Sequence, residues 1–133
     1  MDSILIVDDS VEIRETLLIL LNGIGTLSEA SNGQEALRKI EIEKPKLMLL
    51  DIAMPEMGGI AVLEAALKIA PQLTVLMLTA ECDIAIANKA LEIGARAYIT
   101  KPFDGPALRK EVAYLMSNAT SKTPDSYKLW RVT

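Results

Sequence analysis

The sequence contains no histidine at all. This absence excludes Ser-His-Asp and Cys-His catalysis, and it removes most zinc sites, because those sites depend on imidazole nitrogen. Any reaction that the chain supports must therefore use carboxylates, hydroxyl groups and lysines.

Cysteine, aromatic residues and long apolar segments are also scarce. Cys82 is the only cysteine, so an internal disulfide is impossible, and a reducing compartment, by default the cytoplasm, is expected. No apolar run approaches the roughly 18 residues that cross a bilayer, which argues against membrane insertion. Aromatic residues make up only 4% of the chain, so we predict an aliphatic core.

Charge and length narrow the class of protein further. The 18 acidic and 14 basic residues give a net charge of -4. Proteins that bind nucleic acid usually cluster Lys and Arg on one face, so direct binding to nucleic acid is not expected. The length suits one domain. We predict this domain over residues 1–117, followed by a polar, mobile C-terminal tail over residues 118–133.

Short apolar runs alternate with segments whose apolar residues recur at helical spacing. Strands are predicted at Ile4–Val7, Leu27–Ala30, Leu47–Leu50, Leu73–Leu78 and Ala97–Ile99. A helix is predicted after each strand, and the fourth has the weakest apolar stripe, formed by Ala87, Ala90 and Leu91. This alternation predicts an α/β fold, in which a doubly wound, five-stranded parallel sheet carries five helices on its two faces.

Polar side chains follow four of the five predicted strands. Asp8 and Asp9 end the first, Asp51 ends the third, Thr79 ends the fourth, and Lys101 follows the fifth. Ligands of open parallel sheets bind beyond the carboxyl ends of the strands, so we expect these side chains to lie together. Three neighbouring carboxylates repel one another, and a bound cation relieves that repulsion. Oxygen ligands without histidine suit Mg²⁺, for which Mn²⁺ could substitute.

The same residues suit phosphoryl transfer. A phosphoryl group in transfer needs its negative charge neutralised, and Mg²⁺, the Lys101 ammonium and the Thr79 hydroxyl would do this. Asp51 is the natural nucleophile and would form an acyl phosphate. Because the chain lacks histidine, a phosphohistidine donor must belong to another protein.

Four motifs connect these residues to a known family. They are Ile6-Val7-Asp8-Asp9-Ser10, Leu49-Leu50-Asp51-Ile52-Ala53-Met54-Pro55, Leu78-Thr79-Ala80 and Tyr98-Ile99-Thr100-Lys101-Pro102-Phe103. With them the chain resembles, from Met1 to about Met116, the response regulator receiver family of two-component signalling systems. The resemblance implies a flavodoxin-like sheet of order 2-1-3-4-5. It also implies a signalling phosphoacceptor, which is no enzyme beyond its own phosphorylation and dephosphorylation.

The resemblance implies roles for the acidic residues. Asp51 would be the phosphoacceptor. Asp9 and Asp51 would bind Mg²⁺ directly, Asp8 would bind it mainly through water, and the backbone carbonyl of Ala53 would complete the protein ligands.

The resemblance also implies the responding residues and the partners. Thr79 and Lys101 would bind the phosphoryl oxygens, Thr79 and Tyr98 would form the switch, and the Lys101-Pro102 peptide bond would be cis. The phosphoryl donor would be a histidine kinase or a histidine phosphotransfer protein. A downstream protein would bind the face formed by helix 4, strand 5 and helix 5.

Two further positions bear on the lifetime of the acyl phosphate. By resemblance, Ala53 and Glu81 flank the path of the hydrolytic water. The methyl group of Ala53 cannot orient a water, so we expect slow hydrolysis. The chain departs from the family at Gly58, where Asp is usual, and we expect weaker capping of the third helix there.

Other functions stay open at this point. A phosphatase of the haloacid dehalogenase type also uses an aspartyl nucleophile, but Asp8-Asp9-Ser10 lacks its Asp-x-Asp spacing. A flavodoxin-like cofactor carrier is compatible with the fold alone, yet carboxylates stand where it needs hydroxyl and glycine donors. The chain could also be the receiver fragment of a longer regulator with a DNA-binding or enzymatic output domain. The short tail favours a stand-alone receiver that acts through protein contacts.

Overall fold

The computed structural model describes residues 2–54, 57–80 and 84–117. Within these ranges the strands are β1 (Ser3–Val7), β2 (Thr26–Ala30), β3 (Leu47–Asp51), β4 (Thr74–Ala80) and β5 (Ala97–Lys101). The helices are α1 (Val11–Leu20), α2 (Gly33–Glu43), α3 (Gly59–Ile69), α4 (Ile84–Ile93) and α5 (Gly105–Ser117). The predicted alternation is confirmed. Glu81 and the predicted tail over residues 118–133 lie outside the described residues.

The strands form one parallel sheet in the order β2-β1-β3-β4-β5. The predicted fold and strand order are therefore confirmed. From β1 the chain passes to β2 on one side, and from β2 it crosses to β3 on the other side of β1. The switch point in strand order therefore lies between the carboxyl ends of β1 and β3. In the register, Val7 faces Leu50 and Asp51 faces Leu78. The carboxyl ends of these strands are thus level with one another.

Two aliphatic clusters cover the two faces of the sheet. Alternate strand residues point to opposite faces, so Leu5, Met48 and Val75 join one cluster, and Ile4 and Leu47 join the other. The first lies against α2, α3 and α4, and the second against α1 and α5. Both faces are buried, which is why the strands are almost continuously apolar.

Helix α4, which had the weakest apolar pattern, is present. Its buried residues are Ala87 and Ala90. These side chains are small, and the larger Ile84, Leu91 and Ile93 are only partly buried where the helix packs on β4, β5 and α3. The fully buried positions of α4 therefore give only a weak apolar signal in the sequence. Every helix in the described ranges is too short or too polar to span a membrane.

The N-terminus of α3 lies close against the end of β3. Gly58 is the N-cap and makes no side-chain capping bond, as predicted from the missing Asp. A Cβ on the next residue, Gly59, would stand 2.5 Å from the Asp51 carbonyl oxygen and 2.6 Å from the Ile52 Cα. The Gly59 amide donates to the Ile52 carbonyl at 2.9 Å. The absence of a side chain at Gly59 therefore allows α3 to hold the end of β3.

Candidate phosphoacceptor and metal site

Three carboxylates meet at the carboxyl edge of the sheet, where β1 and β3 end. One oxygen from each of Asp8, Asp9 and Asp51 can be chosen so that all three lie within 4.8 Å of one another. Asp8 and Asp51 are 1% and 4% exposed, while Asp9 is exposed. The cluster therefore has a buried floor and one side open to solvent, and its all-oxygen donors fit a hard cation such as Mg²⁺.

Lys101 reaches this cluster from β5, the strand at one edge of the sheet. Its Nζ lies 3.1 Å from Asp8 Oδ2 and 3.3 Å from Asp51 Oδ1. Because β4 separates β5 from β3, the long lysine side chain spans one strand to place its ammonium between the two buried carboxylates. The peptide bond between Lys101 and Pro102 is cis.

The electrostatics of Asp51 reflect its crowded position. Burial raises the pKa of this carboxyl, and the nearby charge of Asp8 raises it further. The Lys101 ammonium and a hydrogen bond from the Ala53 amide to Asp51 Oδ1, at 3.2 Å, act in the opposite direction. An additional cation beside Asp51 would oppose the effects of burial and of Asp8, and would favour the ionised form of the carboxyl.

The Asp8 side chain and backbone are fixed on several sides. Its Oδ1 accepts from the Ser10 amide at 2.9 Å, and its backbone amide donates to the Ala30 carbonyl at 3.2 Å. Ser10 is also the N-cap of α1, since its Oγ accepts from the Ile13 amide at 3.2 Å. The loop that carries the first two carboxylates is thereby joined to the start of α1.

Thr79 and Tyr98 lie near the site but are engaged elsewhere. Thr79 is fully buried and follows Leu78, the register partner of Asp51. Its hydroxyl donates to the Ala80 carbonyl at 3.1 Å, so it must exchange that partner to reach a phosphoryl oxygen. Tyr98 is 4% exposed and belongs to the cluster that covers the α4 side of the sheet. Its inward position is the one that the structure describes.

Of the remaining predicted positions, Ala53 is exposed beside the carboxylates. Glu81 lies outside the described residues. The structure thus brings Asp8, Asp9, Asp51 and Lys101 together, with Ala53 adjacent.

Sequence reasoning missed Arg14. Its Nη1 donates to the Asp8 carbonyl at 2.6 Å, and its Nε donates to Glu29 Oε1 at 2.7 Å. A cation near the N-terminus of a helix is unfavourable to the helix dipole. That mismatch is the one signal in the sequence that could have drawn attention to Arg14.

Comparison with known proteins agrees with this geometry. Residues 4–113 match the family described as "Response regulator receiver domain". "Chemotaxis protein CheY" of Thermotoga maritima is 37% identical over 102 residues, which are 75% of this chain and 85% of that protein. "Probable transcriptional regulator ycf27" of Cyanophora paradoxa is 36% identical over 121 residues, which are 90% of this chain and 50% of that protein. The chain thus spans most of some relatives and about half of others.

A solved structure shows the same fold. The "response regulator receiver domain protein (CheY-like)" from Methanospirillum hungatei superposes with a TM-score of 0.83 at 32% identity, covering 90% of this chain and 97% of that one. The family match covers most of the chain, and the fold and the strand-end carboxylates agree with it. The chain therefore belongs to the response regulator receiver domain family of two-component signalling.

Proposed function

We propose that this chain is a phosphoacceptor that receives a phosphoryl group on Asp51 and passes the signal on through protein contacts. The donor is a phosphohistidine on a histidine kinase or a histidine phosphotransfer protein, and the setting is the cytoplasm. The observation that carries the proposal is the Lys101 ammonium held 3.1 Å from Asp8 and 3.3 Å from Asp51, within a group of three carboxylates.

The donor set supports a resident Mg²⁺, with Mn²⁺ as a substitute. Asp9, Asp51 and the Ala53 carbonyl would bind the ion directly, and Asp8 would bind it mainly through water. When bound, the ion supplies positive charge to the phosphoryl oxygens. The raised pKa of Asp51, caused first by burial and then by Asp8, is consistent with this assignment, because a cation at the cluster would favour the ionised carboxylate.

The chain's own residues account for the transfer. An oxygen of the ionised Asp51 attacks phosphorus, a P–O bond forms as the P–N bond to the donor imidazole breaks, and the imidazole leaves with the electron pair and takes up a proton. The Lys101 ammonium lies beside Asp51 Oδ1, where negative charge on the phosphoryl group would collect. Little covalent help is required, so positioning and charge carry the reaction. The chain acts on its own phosphoryl group and is a signalling domain rather than an enzyme with a separate substrate.

The switch that we propose begins at Thr79. Its hydroxyl exchanges the Ala80 carbonyl, 3.1 Å away, for a phosphoryl oxygen. That exchange biases a pre-existing equilibrium of Tyr98 and of the face made by α4, β5 and α5, which would bind the downstream protein. Amide chemical shifts with and without a beryllofluoride phosphate mimic test this. Large changes are expected across α4 and β5, and changes confined to the loop after β3 would contradict the switch.

Mass spectrometry tests the phosphoacceptor. Wild type, Asp51→Asn and Asp104→Asn are incubated with Mg²⁺ and a small acyl phosphate, and intact masses are compared. Asp104 caps α5, since its Oδ1 accepts from the Ala107 amide at 3.2 Å. Asp104→Asn is therefore the control, because it removes a carboxylate that lies outside the cluster. Wild type and Asp104→Asn should gain one phosphoryl group and Asp51→Asn none. An equal gain in Asp51→Asn would overturn the assignment.

We also propose the division into a receiver over residues 1–117 and a polar tail over residues 118–133. One observation favours a second candidate, a receiver joined to a DNA-binding or enzymatic output domain. The chain spans only 50% of the ycf27 relative, whose name describes a transcriptional regulator. The mass of the native gene product separates the two candidates, since an output domain would greatly enlarge it.

A further inference from the structure

The peptide that links Asp8 to Asp9 is held by a residue outside the carboxylate cluster. Arg14 Nη1 donates to the carbonyl oxygen of this peptide at 2.6 Å, and Arg14 Nε donates to Glu29 Oε1 at 2.7 Å. The Arg14 side chain is only 13% exposed. One guanidinium on α1 therefore bridges the end of β1 and the side chain of Glu29 on β2.

This contact controls more than the position of one carbonyl. The peptide unit is planar, so an oxygen held in place also sets the direction of the following N–H and of the Asp9 Cα. Asp9 is exposed, which leaves its side chain with little surrounding protein to orient it. The guanidinium fork is rigid and presents its N–H groups in fixed directions. The orientation of Asp9 toward Asp51 thus depends on how firmly Arg14 holds the preceding peptide.

We propose that Arg14, anchored by Glu29, is a positioning residue that presets the Asp8-Asp9 peptide for cation binding. The inference rests on the proposed function, because it assumes a divalent cation at the carboxylate cluster. Arg14 touches neither the cation nor the phosphoryl group. It acts through the backbone of the two carboxylates, in the way that outer-shell partners orient the ligands of a metal.

Charge and positioning give opposite signs for the effect of Arg14. A guanidinium near the cluster repels a cation, so its removal would strengthen cation binding if charge alone mattered. If positioning dominates, its removal weakens binding although a positive charge has been lost. The sign of the change therefore separates the two effects.

Arg109 provides a matched control at the other end of α1. Its Nη1 donates to the carbonyls of Leu20 and Asn22, each at 2.8 Å. Like Arg14, it contacts backbone carbonyls next to α1, but it does so at the C-terminal end of the helix, whereas Asp8 and Asp9 precede the N-terminal end. Arg14→Met and Arg109→Met remove the same charge and the same kind of contact while retaining an unbranched apolar side chain. Both variants are expected to lower the melting temperature in EDTA.

The test is a titration with Mn²⁺, followed by the electron paramagnetic resonance signal of the free ion, with Mg²⁺ affinity obtained by competition. Arg14→Met should weaken binding about tenfold, the lower end of the usual outer-shell effect, and Arg109→Met should bind as wild type does. The rate of phosphorylation by a small acyl phosphate should recover in Arg14→Met at saturating Mg²⁺. Equal or tighter Mn²⁺ binding by Arg14→Met would overturn the inference.

Glu29 supplies an independent pair of variants should Arg14→Met fold poorly. Glu29→Ala and Glu29→Gln remove the same charge, but the glutamine retains an oxygen that can accept from Arg14 Nε. Weaker Mn²⁺ binding by Glu29→Ala than by Glu29→Gln is expected, and equal binding would count against the anchor. If wild type itself bound no Mn²⁺, the metal site of the proposed function would fail. Wild-type binding with an unaffected Arg14→Met would overturn the positioning role alone.

Discussion

We expect the substitution of Gly59 by alanine to disturb the candidate site, because Gly59 packs against the backbone of Asp51 and Ile52. The new Cβ would lie 2.5 Å from the Asp51 carbonyl oxygen and 2.6 Å from the Ile52 Cα, and both neighbours are backbone atoms that cannot rotate away. To move from 2.5 Å to the 3.4 Å of ordinary contact, the helix and the end of β3 must separate by about 0.9 Å. That displacement would move Asp51, the proposed phosphoacceptor.

The expected magnitudes follow from this displacement. Alanine favours a helix over glycine by about 0.5–1 kcal/mol, whereas overpacking costs about 1–3 kcal/mol. Because the clash is with backbone, we take the upper part of that cost and expect Gly59→Ala to lower the free energy of unfolding by about 2 kcal/mol. A shift of about 1 Å in a reacting group can slow a reaction about a hundredfold. We therefore expect phosphorylation by a small acyl phosphate to slow by about tenfold to a hundredfold.

The neighbouring glycine provides the control. Gly58 has a φ of -71°, and a Cβ there meets no atom within 4 Å. Gly58→Ala should therefore cost less than about 1 kcal/mol and should leave the phosphorylation rate unchanged. Urea unfolding followed by circular dichroism gives the stabilities, and intact-mass time courses give the rates. Phosphorylation of Gly59→Ala at the rate of Gly58→Ala would show that the close approach of α3 does not position Asp51.

Three further substitutions have defined outcomes. The pKa of the Asp51 carboxyl is raised, first by burial and then by Asp8. The folded protein therefore binds the carboxyl proton more tightly than the unfolded chain does, and ionisation of Asp51 lowers stability as the pH rises above the ordinary pKa of 3.8. In EDTA, Asp51→Asn should therefore melt at a higher temperature than wild type at pH 7, with a gain that shrinks toward pH 4; a lower melting temperature would contradict this. Asn32→Ala removes the α2 cap, in which Oδ1 accepts from the Glu35 amide at 2.8 Å, and should cost about 1 kcal/mol in urea unfolding, whereas no change would show that the cap is dispensable. The amide introduced by Ala53→Asn can orient a water, which the alanine methyl group cannot do. In phosphate-release assays at matched Mg²⁺ and pH, the wild-type acyl phosphate should therefore decay more slowly than that of Ala53→Asn. Faster decay of the wild type would refute the argument.

The residues that meet at the sheet edge could be anticipated because their spacing depends on topology. Once the strands are parallel, Asp8, Asp51 and Lys101 must emerge at the same edge, whatever the details of packing. The missing cap at Gly58 was also predictable, since capping depends on one side chain and the adjacent backbone. The alternation of strands and helices was thus predictable from the residues themselves, whereas the strand order was predicted from the family resemblance.

Other features depend on which elements pack against each other, and sequence alone does not give that. The Arg14 contacts join α1 to the ends of β1 and β2, and Arg109 on α5 reaches the end of α1. The sequence did not indicate that the Thr79 hydroxyl donates to the Ala80 carbonyl, and the structure shows this contact. Likewise, the closeness of Gly59 to Asp51 depends on how α3 packs at the end of β3. The contacts of long side chains and the approach of a helix to the sheet depend on tertiary packing, which the periodicity of the sequence does not describe.

Chemical mapping of the phosphorylated residue tests the central claim most directly. Wild-type protein is treated with Mg²⁺ and a small acyl phosphate and then reduced with borohydride, which converts an aspartyl phosphate to homoserine. Tandem mass spectrometry of the peptides then locates the converted residue. Homoserine at position 51, and its absence when Mg²⁺ is replaced by EDTA, is the predicted result. Homoserine at Asp8 or Asp9, or a phosphate on Thr79 that survives reduction, would contradict the assignment of Asp51 as the phosphoacceptor.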